Sequence, residues 1–438
     1  MSTQSWWRTA ARVAALATLS CVSAAAQPAA GEGVAPPVES LVGRALERAP
    51  SIGAMRERLE AARASLRAAG VLPGPMVQFE YRDAGFPRQT IGTDPMSMVG
   101  AMVQQPLQSG GRRSAARELA AAQVERREAG IGALAAELTA AVRDQYGRLY
   151  AIDRERAVLG DAIQLADLLA ATASSRYGAG ESDQATVLRA QLERTRLGER
   201  LADLAAERRI ALVTLNRLID APPDSPLGEV IRLPELKLPA GLTALPDLAA
   251  REAPGVAAVQ ADVEVAGREV RAAREELRPA YSIGGGLYWQ GGTDRTVALT
   301  VGVEWPFRKE QRLLPRVTAA ERARQAARLD LADASAEARA EAERLVTEVR
   351  RAEEQLERYR LGLVPQSSAA FDAARAGYLG GRGDFSGALD EFRRWTEIRV
   401  EVARREATRF IALGRLETLV GSVTQTPSGS RQPAGEAR

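Results

Sequence analysis

The chain of 438 residues contains no histidine, and Cys21 is its only cysteine. It therefore lacks the commonest zinc and copper ligand and the usual general base of enzymes. One cysteine excludes an intramolecular disulfide, and removal of the leader described below would leave no thiol at all. No isolated pair of carboxylates stands in a pocket-forming segment either. We therefore predict a protein that is not an enzyme and that needs no cofactor.

Neither sign of charge is in excess. Lysine and arginine number 59, aspartate and glutamate 56, and the formal net charge is +3. Loss of residues 1–26, which contain two arginines and no acid, would lower the net charge to +1. The basic surface that nucleic-acid binding requires is absent, so no nucleic-acid partner is expected.

The first 26 residues have the composition of an export signal. Arg8 and Arg12 precede the apolar stretch Val13–Val22, and three small residues end at Ala26. This pattern predicts cleavage after Ala26. The alternative is lipidation at Cys21, although the leucine of the motif before that cysteine stands one position late. Both alternatives take the chain out of the cytoplasm.

Beyond this leader, no apolar run reaches the roughly 18 residues of a membrane-spanning helix. A chain of this kind that crosses a membrane must do so as part of a closed β-barrel. Proline is also absent between Pro106 and Pro222, where alanine, leucine, arginine and glutamate predominate. Because these residues favour helices, the interval is predicted to be helical, with one interruption.

That interruption is the glycine-rich turn Ser174–Asp183, and a similar turn, Ala376–Asp384, follows about 200 residues later. Tyr177 and Tyr378 occupy matching positions, and both turns end in aspartate. Long helical stretches flank each turn. The sequence therefore predicts two long helical hairpins and an internal duplication.

Glycine and short polar residues predict the geometry of these turns. We expect Gly178 and Gly180 in the first turn, and Gly380 in the second, to adopt the left-handed conformation that ends a helix. Ser182 or Asp183 is suited to cap the helix that follows the first turn.

Four segments alternate between apolar and polar residues, as strands with one buried or lipid-facing side do. They lie at positions 77–82, 98–107, 281–290 and 296–305, and a proline stands near the end of the second and of the fourth. Three aromatic residues near strand ends resemble an interfacial girdle. They are Tyr81, Trp289 and Trp305.

The predicted organisation repeats one order of elements. Residues 27–221 form a first repeat of helix, two strands and long hairpin, and 245–421 form a second. The proline-rich segment 222–244 links them, and 422–438 is a polar tail. The helix over about 112–177 would extend roughly 100 Å. Pro315 and Pro365 should kink its counterpart in the second repeat.

Four strands leave two open edges, which cannot lie in lipid. The long helical hairpins likewise have no core of their own, and their apolar seams are of the coiled-coil type. A cyclic homo-oligomer satisfies both requirements, with a barrel of strands above a barrel of helices.

In this order of elements, in its doubling and in the Y-x-x-G turns, the chain resembles the TolC-like outer-membrane efflux proteins over residues 40–420. The resemblance implies a trimer with a twelve-stranded barrel in outer-membrane lipid, a periplasmic helical tunnel, a periplasmic adaptor and an inner-membrane pump. Segments Leu72–Met76 and Asp94–Gly100 look most like members that serve heavy-metal efflux pumps.

The resemblance also implies functional residues. The hairpin tips would dock the adaptor. Their candidate residues are Tyr177, Gly178, Gly180, Tyr378, Gly380 and Gly381. Ala388-Leu389-Asp390 matches the family pattern that lines the periplasmic mouth, whereas the family's other mouth aspartate corresponds to Gly387 here. We expect Arg382, Asp384 and Asp390 to form the gate, with Arg382 pairing with Asp390 or with the copy in a neighbouring chain.

Two further patterns have competing interpretations. Met96, Met98 and Met102 are predicted to share one strand face, where thioethers would suit Cu(I), but apolar filling or lipid contact is favoured. The cluster Gly284–Gly286 resembles a phosphate loop, but another strand residue follows it rather than a helix N-terminus. Strand glycines facing a crowded lumen are the favoured interpretation.

The sequence therefore predicts a passive exit duct of a tripartite efflux system, with heavy-metal cations as the candidate cargo. Drugs or secreted proteins are alternative cargoes. A periplasmic coiled-coil adaptor or structural spacer is the alternative of another class, although an adaptor usually needs only one hairpin.

Overall fold

A computed structural model describes residues 33–82, 88, 94, 96–236, 238–239, 241–290, 294–307 and 309–421. The predicted leader, with Cys21, and the predicted tail lie outside these residues. The described chain is mostly helical, with one four-stranded antiparallel sheet. One order of helices and strands occurs twice, which confirms the predicted fold class and the internal duplication.

The first repeat contains four helices and two strands. They are α1 Val38–Arg48, α2 Pro50–Ala68, β1 Met76–Arg82, β2 Met98–Leu107, α3 Gly110–Gly178 and α4 Gln184–Leu218. Pro50 begins α2, because the first helical position needs no amide donor. Helix α3 has 69 residues and is therefore about 100 Å long.

The second repeat contains five helices and two strands. They are α5 Leu245–Glu252, α6 Pro254–Glu275, β3 Ala280–Gln290, β4 Asp294–Glu304, α7 Leu314–Arg358, α8 Val364–Leu379 and α9 Phe385–Leu419. Single π-helical turns precede α7 and α8, at Lys309–Leu313 and Tyr359–Leu363.

Both predicted interruptions of the second long helix occur at these π-helical turns. Pro315 and Pro365 are each the second residue of the α-helix that follows a π-helical turn. A proline ring clashes with the carbonyl four residues earlier in a regular helix and leaves it without a donor. The wider turn changes this hydrogen-bond pattern and accommodates the proline.

Helix α3 includes one window of 18 residues that is long and apolar enough, by composition, to cross a membrane. The window contains no more than two charged residues and is not an uninterrupted apolar run. The helix packs along α4, α6 and α9, and a third of the window is buried within the chain.

Apolar side chains form separate clusters along the length of the molecule. One cluster joins α1, α3 and α4 around Leu41, Leu149 and Leu215. A second lies towards the hairpin tips and contains the fully buried Phe392. A third joins α5, α7 and α9 around Leu345. A long molecule of this shape is therefore stabilised by successive local cores.

The strands pair in sequence order, β1-β2-β3-β4, and every pair is antiparallel. Gly100 of β2 pairs with Glu80 of β1 and with Tyr288 of β3. The helices join the sheet at the start of β1 and the end of β4, so one end of the sheet faces the helices. The opposite end carries the β1–β2 and β3–β4 connections.

Candidate functional site: hairpin tips and sheet faces

The two tips share one backbone geometry. Asp183 and Asp384 precede α4 and α9 with φ of −88° in both cases. Their carboxylates accept a hydrogen bond from the backbone N–H of Thr186 and of Gly387, each at 2.9 Å. Asp183 is thus the helix cap proposed from the sequence. Asp384, a candidate gate residue, lies at the equivalent cap.

The prediction of which turn glycines are left-handed is partly wrong. Gly180 has a φ of +76°, as expected, but its partner in the second turn is Gly381, at +73°. Gly380 is the cap of α8 with a φ of −81°, and Gly178 is the last residue of α3. The left-handed residue follows the cap residue at the end of a helix, so it lies one position after Gly380.

The matching tyrosines have different surroundings. The side chain of Tyr177 is 50% exposed, whereas that of Tyr378 is 3% exposed. The Tyr378 ring lies 4.9 Å from the guanidinium of Arg176 and 5.5 Å from the ring of Phe385. Burial raises the pKa of the Tyr378 phenol, which the Arg176 charge opposes. One tip is open and the other is packed.

Polar contacts join the first hairpin to the second. The carboxylate of Glu193, buried on α4, accepts two hydrogen bonds from Arg393 of α9, at 2.8 and 2.5 Å. Nearer the tips, Arg189 donates to the hydroxyl of Ser386 at 3.1 Å. These contacts fix the relative position of the hairpins.

The gate candidates do not form the predicted pair within one chain. Asp390 is 67% exposed at its side chain, and its ionic neighbour is Arg393, at 3.8 Å and one turn away. Arg382 lies in the turn, with its Nε 3.9 Å from where a Cβ would stand on Gly380. The helical spacing of three residues places Arg393 beside Asp390, whereas Arg382 precedes the helix.

One face of the sheet is apolar and exposed along all four strands. Its most exposed side chains are Phe79, Val297 and Leu299, at 85%, 76% and 77%. This face includes Tyr81, Trp289 and Trp305 at or beside strand ends, as the girdle prediction placed them. An apolar sheet face of this extent is suited to lipid.

The other face is polar and carries a hydrogen-bonded cluster. Tyr288 donates to Glu80 at 3.1 Å, and Glu80 also pairs with Arg82. A Cβ on Gly100 would come within 2.3 Å of the Tyr288 ring, and one on Gly286 within 2.8 Å. Gly100 and Gly286 therefore make room for the ring. Gly285, in the middle of the predicted cluster, lies on the apolar face opposite Val103, so the prediction that the cluster faces a crowded lumen does not hold for this residue.

The three candidate methionines do not all lie on the same face of the sheet. Met98 and Met102 lie on the polar face, and the hydroxyl of Thr300 is 3.7 Å from the Met102 sulfur. Met96 precedes β2 in a turn, so the prediction that all three share a strand face is wrong. The strand begins only at Met98, after this turn. Among the described residues, no group of three or more acidic, histidine or cysteine side chains is placed to hold a metal ion.

Sequence reasoning missed the arginines at the junction of sheet and helices. Arg112 donates to the carbonyls of Glu275 and Glu276, each at 3.1 Å, at the end of α6. Arg113 donates to the carbonyl of Gly70 at 2.9 Å, just after α2. These side chains satisfy carbonyls that a helix end leaves without donors. A pair of arginines directly after a strand and two glycines was the available indication.

A buried ion pair was missed as well. The guanidinium of Arg143 is almost fully buried and contacts Glu39 and Glu417, each at 3.1 Å. Burial raises the pKa of Glu417, and the Arg143 charge opposes the shift. The three residues join α1, α3 and α9 and lie far apart in the sequence, so no local pattern reveals them.

Comparison with known proteins agrees with this geometry. The OprN outer-membrane channel is 19% identical, with a TM-score of 0.73 over 88% of this chain and 89% of its own. VceC from Vibrio cholerae is 18% identical, with a TM-score of 0.74 over 87% and 95%. CusC is 16% identical, with a TM-score of 0.74 over 87% and 91%. At these identities the likeness establishes the fold.

No curated protein sequence matches the chain closely enough to add to this comparison. The family model described as outer membrane efflux protein matches residues 41–220 and 245–422, which is most of the chain and one segment in each repeat. The chain therefore belongs to the outer membrane efflux protein family and is located in the outer membrane, with its helical part in the periplasm.

Proposed function

We propose that the protein is the passive, trimeric exit duct of a tripartite efflux system. The observation that carries the proposal is the sheet, which has an exposed apolar face, leads directly into helix α3 of about 100 Å, and leaves one edge of β1 and one edge of β4 without a partner among the described residues. Such a chain extends from lipid far into the periplasm. It is incomplete alone.

Closure of the sheet is the reason for a trimer. Strands β1 and β4 each have one neighbour within the described chain, so their outer backbone groups need a further partner in lipid. A second copy that places its β1 against β4 supplies that partner. Three copies complete the twelve-stranded barrel that the family resemblance implies.

Mass spectrometry of the intact, detergent-purified protein tests the assembly. We expect a trimeric mass, and a stable monomer in mild detergent would contradict the proposal. An alternative role as a periplasmic adaptor predicts extraction by salt without detergent, whereas a barrel resists salt and urea.

The partners are proposed to be a periplasmic adaptor at the hairpin tips and an inner-membrane pump that supplies the energy. The sequence contains no ATP-binding motif. The first tip offers an accessible surface, since Tyr177 is half exposed and no atom lies within 4 Å of a Cβ placed on Gly178 or Gly180. The packed second tip would hold this surface in place.

Gly180→Val tests the docking role, because a branched side chain at positive φ distorts the turn that presents Tyr177. We expect export to fail while trimers still reach the outer membrane. Gly160→Val, on the body of α3 where a Cβ also meets no atom within 4 Å, is the matched control. Normal export by Gly180→Val and Gly381→Val would exclude the tips as the docking surface.

Asp390 is proposed to line the periplasmic mouth, where a trimer would present three copies around the axis. A ring of carboxylates attracts cations and repels anions. Asp390→Ala should lower the cation preference in single-channel recordings, and Arg382→Ala should raise the open probability without that loss. Unchanged selectivity and conductance in Asp390→Ala would leave Asp390 as an ordinary surface charge.

Heavy-metal cations are the proposed cargo, on the resemblance of the segments around Met76 and Met98 and on the anionic Asp390. Deletion of the gene and complementation with the intact chain, screened against metals, dyes and antibiotics, tests this assignment. Sensitivity to organic drugs alone would overturn it in favour of a drug duct.

A further inference from the structure

The apolar face of the sheet ends, on the side of the helices, in a group of exposed aromatic and basic residues. We call the residues Trp305, Phe307, Lys309 and Arg312 the basic–aromatic patch. Trp305 is 54% exposed and Phe307 is 81% exposed. The Lys309 ammonium lies 5.9 Å from the centre of the Trp305 ring.

The position of the patch relative to the membrane follows from the length of the apolar face of β4. Eight residues separate Val297 from Trp305, which at about 3.3 Å per residue gives an apolar band of roughly 26 Å. Because strands of outer-membrane barrels are tilted by about 35–45°, this length corresponds to a height of roughly 20 Å, which is most of their roughly 25 Å apolar band. Trp305 therefore marks the boundary of the lipid on the periplasmic side. Phe307, Lys309 and Arg312 lie at the level of the lipid headgroups.

The two cations of the patch are available for a ligand. Neither Lys309 nor Arg312 forms an ion pair with a carboxylate of the described chain, and both are exposed. Arg316, one turn further on, is occupied by Glu276 at 3.2 Å. Glu310 is the only acid from Trp305 to Arg312, whereas Glu304 points to the polar face of the sheet.

The equivalent region of the first repeat differs. After β2, its arginines are used internally, because Arg112 and Arg113 donate to helix-end carbonyls. No aromatic residue follows Leu107 before α3. The patch is thus a feature of the second repeat and would occur once per chain around the barrel.

We propose that the basic–aromatic patch binds the headgroup of an anionic phospholipid in the periplasmic leaflet of the outer membrane. Lys309 and Arg312 would pair with the phosphate, and Trp305 and Phe307 would pack on the glycerol and upper acyl region. The inference rests on the outer-membrane location and the lipid-facing sheet, and it is independent of what the duct carries.

Competition between two lipids tests this proposal. The detergent-purified protein is incubated with equal amounts of phosphatidylglycerol and phosphatidylcholine, and retained lipid is counted by mass spectrometry of the intact assembly. We expect a preference for phosphatidylglycerol in the wild type. The double variant K309Q/R312Q should lower that preference by about fivefold for each charge removed.

The matched control is R196Q/R217Q, which removes two exposed arginines from α4 and changes the net charge equally. It should retain the preference of the wild type. Equal retention of both lipids by the wild type, or an unchanged preference in K309Q/R312Q, would overturn the proposal.

A second measurement places the lipid at Trp305. The W289F/W395F variant is expressed without residues 1–26, which contain Trp6 and Trp7, so that Trp305 is its remaining tryptophan. In nanodiscs, brominated phosphatidylglycerol should quench the Trp305 fluorescence more than brominated phosphatidylcholine does. Resistance of the protein to urea extraction is measured in parallel. Equal quenching in a urea-resistant protein would refute the lipid site alone, whereas extraction by urea would refute the barrel and hence the proposed duct.

Discussion

The tips of the two hairpins have the same turn and different environments. They align residue for residue at an offset of 201 positions, from Tyr177 on Tyr378 to Asp183 on Asp384. The cap residues Ala179 and Gly380 have φ of −84° and −81°. Yet the first tyrosine is half exposed and the second is buried. The local sequence determines the turn, and packing determines which surface the turn presents.

The helices that lead to the two tips also differ, both in continuity and in packing. Helix α3 runs without interruption to the first tip, whereas a π-helical turn divides α7 from α8 before the second. Behind the second tip, Phe371, Phe392 and Trp395 pack together, with Phe371 5.6 Å from Phe392 and 5.4 Å from Trp395. The second hairpin therefore combines an interrupted helix with an aromatic cluster behind its tip, and the first hairpin has neither feature among the described residues.

Removal of an aromatic ring should affect the second hairpin most. Phe392 is fully buried, and Phe392→Ala is expected to cost about 3–5 kcal/mol, because the loss of the ring leaves a cavity. Gln191, at the matching position of the first hairpin, is exposed, so Gln191→Ala should change stability by less than about 0.5 kcal/mol. Hydrogen exchange resolved by segment would report faster exchange in α8 and α9 for the first variant only.

Equal effects of the two substitutions would contradict the comparison, since they would mean that both hairpin ends are packed to the same degree. A trimer that buries Gln191 against a neighbouring chain would give this result.

The contact between the hairpins should contribute less. Glu193→Ala removes a buried acceptor but leaves Arg393 partly exposed to water, so we expect a loss of about 1–3 kcal/mol. Glu199→Ala, which removes an exposed acid from the same helix, is the control. Proteolysis at the tips should accelerate in the first variant and stay unchanged in the second. No change in either would show that apolar packing alone aligns the hairpins.

Replacement of the turn glycines by alanine tests whether the two tips share one backbone geometry. Gly180→Ala and Gly381→Ala should each cost about 1 kcal/mol, because both residues have positive φ. Gly380→Ala should cost only a few tenths, since its φ is negative, although a Cβ would lie 3.1 Å from the Ala376 carbonyl. Thermal denaturation of the three variants gives the order, and a larger effect at Gly380 would reverse the assignment of the turn.

Most of the fold could be predicted from periodicity, because strand alternation and long helical seams are local patterns. The start of β2 at Met98 is an example. The interruptions at Pro315 and Pro365 were predictable for another reason, since proline cannot continue a regular helix. The choice of Gly380 over Gly381 failed although the tyrosines and aspartates were matched correctly. Counting from Tyr378, as from Tyr177 to Gly180, places the left-handed residue at Gly381.

Contacts between distant segments could not be predicted. Arg393 meets Glu193 across 200 residues, and Arg143 meets Glu39 and Glu417 through a fold that brings three helices together. In a chain with 59 basic and 56 acidic residues, many such pairs are compatible with the sequence. Only the packing selects among them.

The smallest expected effect is the change in stability when the hydroxyl of either tip tyrosine is removed. The Tyr378 hydroxyl is buried and has no hydrogen-bond partner among the described residues. A buried hydroxyl without a partner costs about 1–3 kcal/mol, so Tyr378→Phe should leave stability unchanged or raise it by up to about 1 kcal/mol. Tyr177→Phe should have no effect, because the Tyr177 hydroxyl is accessible to water. Thermal denaturation and export are measured for both variants. A clear loss of stability in Tyr378→Phe would mean that a neighbouring chain supplies a partner. If Tyr378→Phe lost export at unchanged stability while Tyr177→Phe kept it, the buried tyrosine, and not the open one, would contact the adaptor.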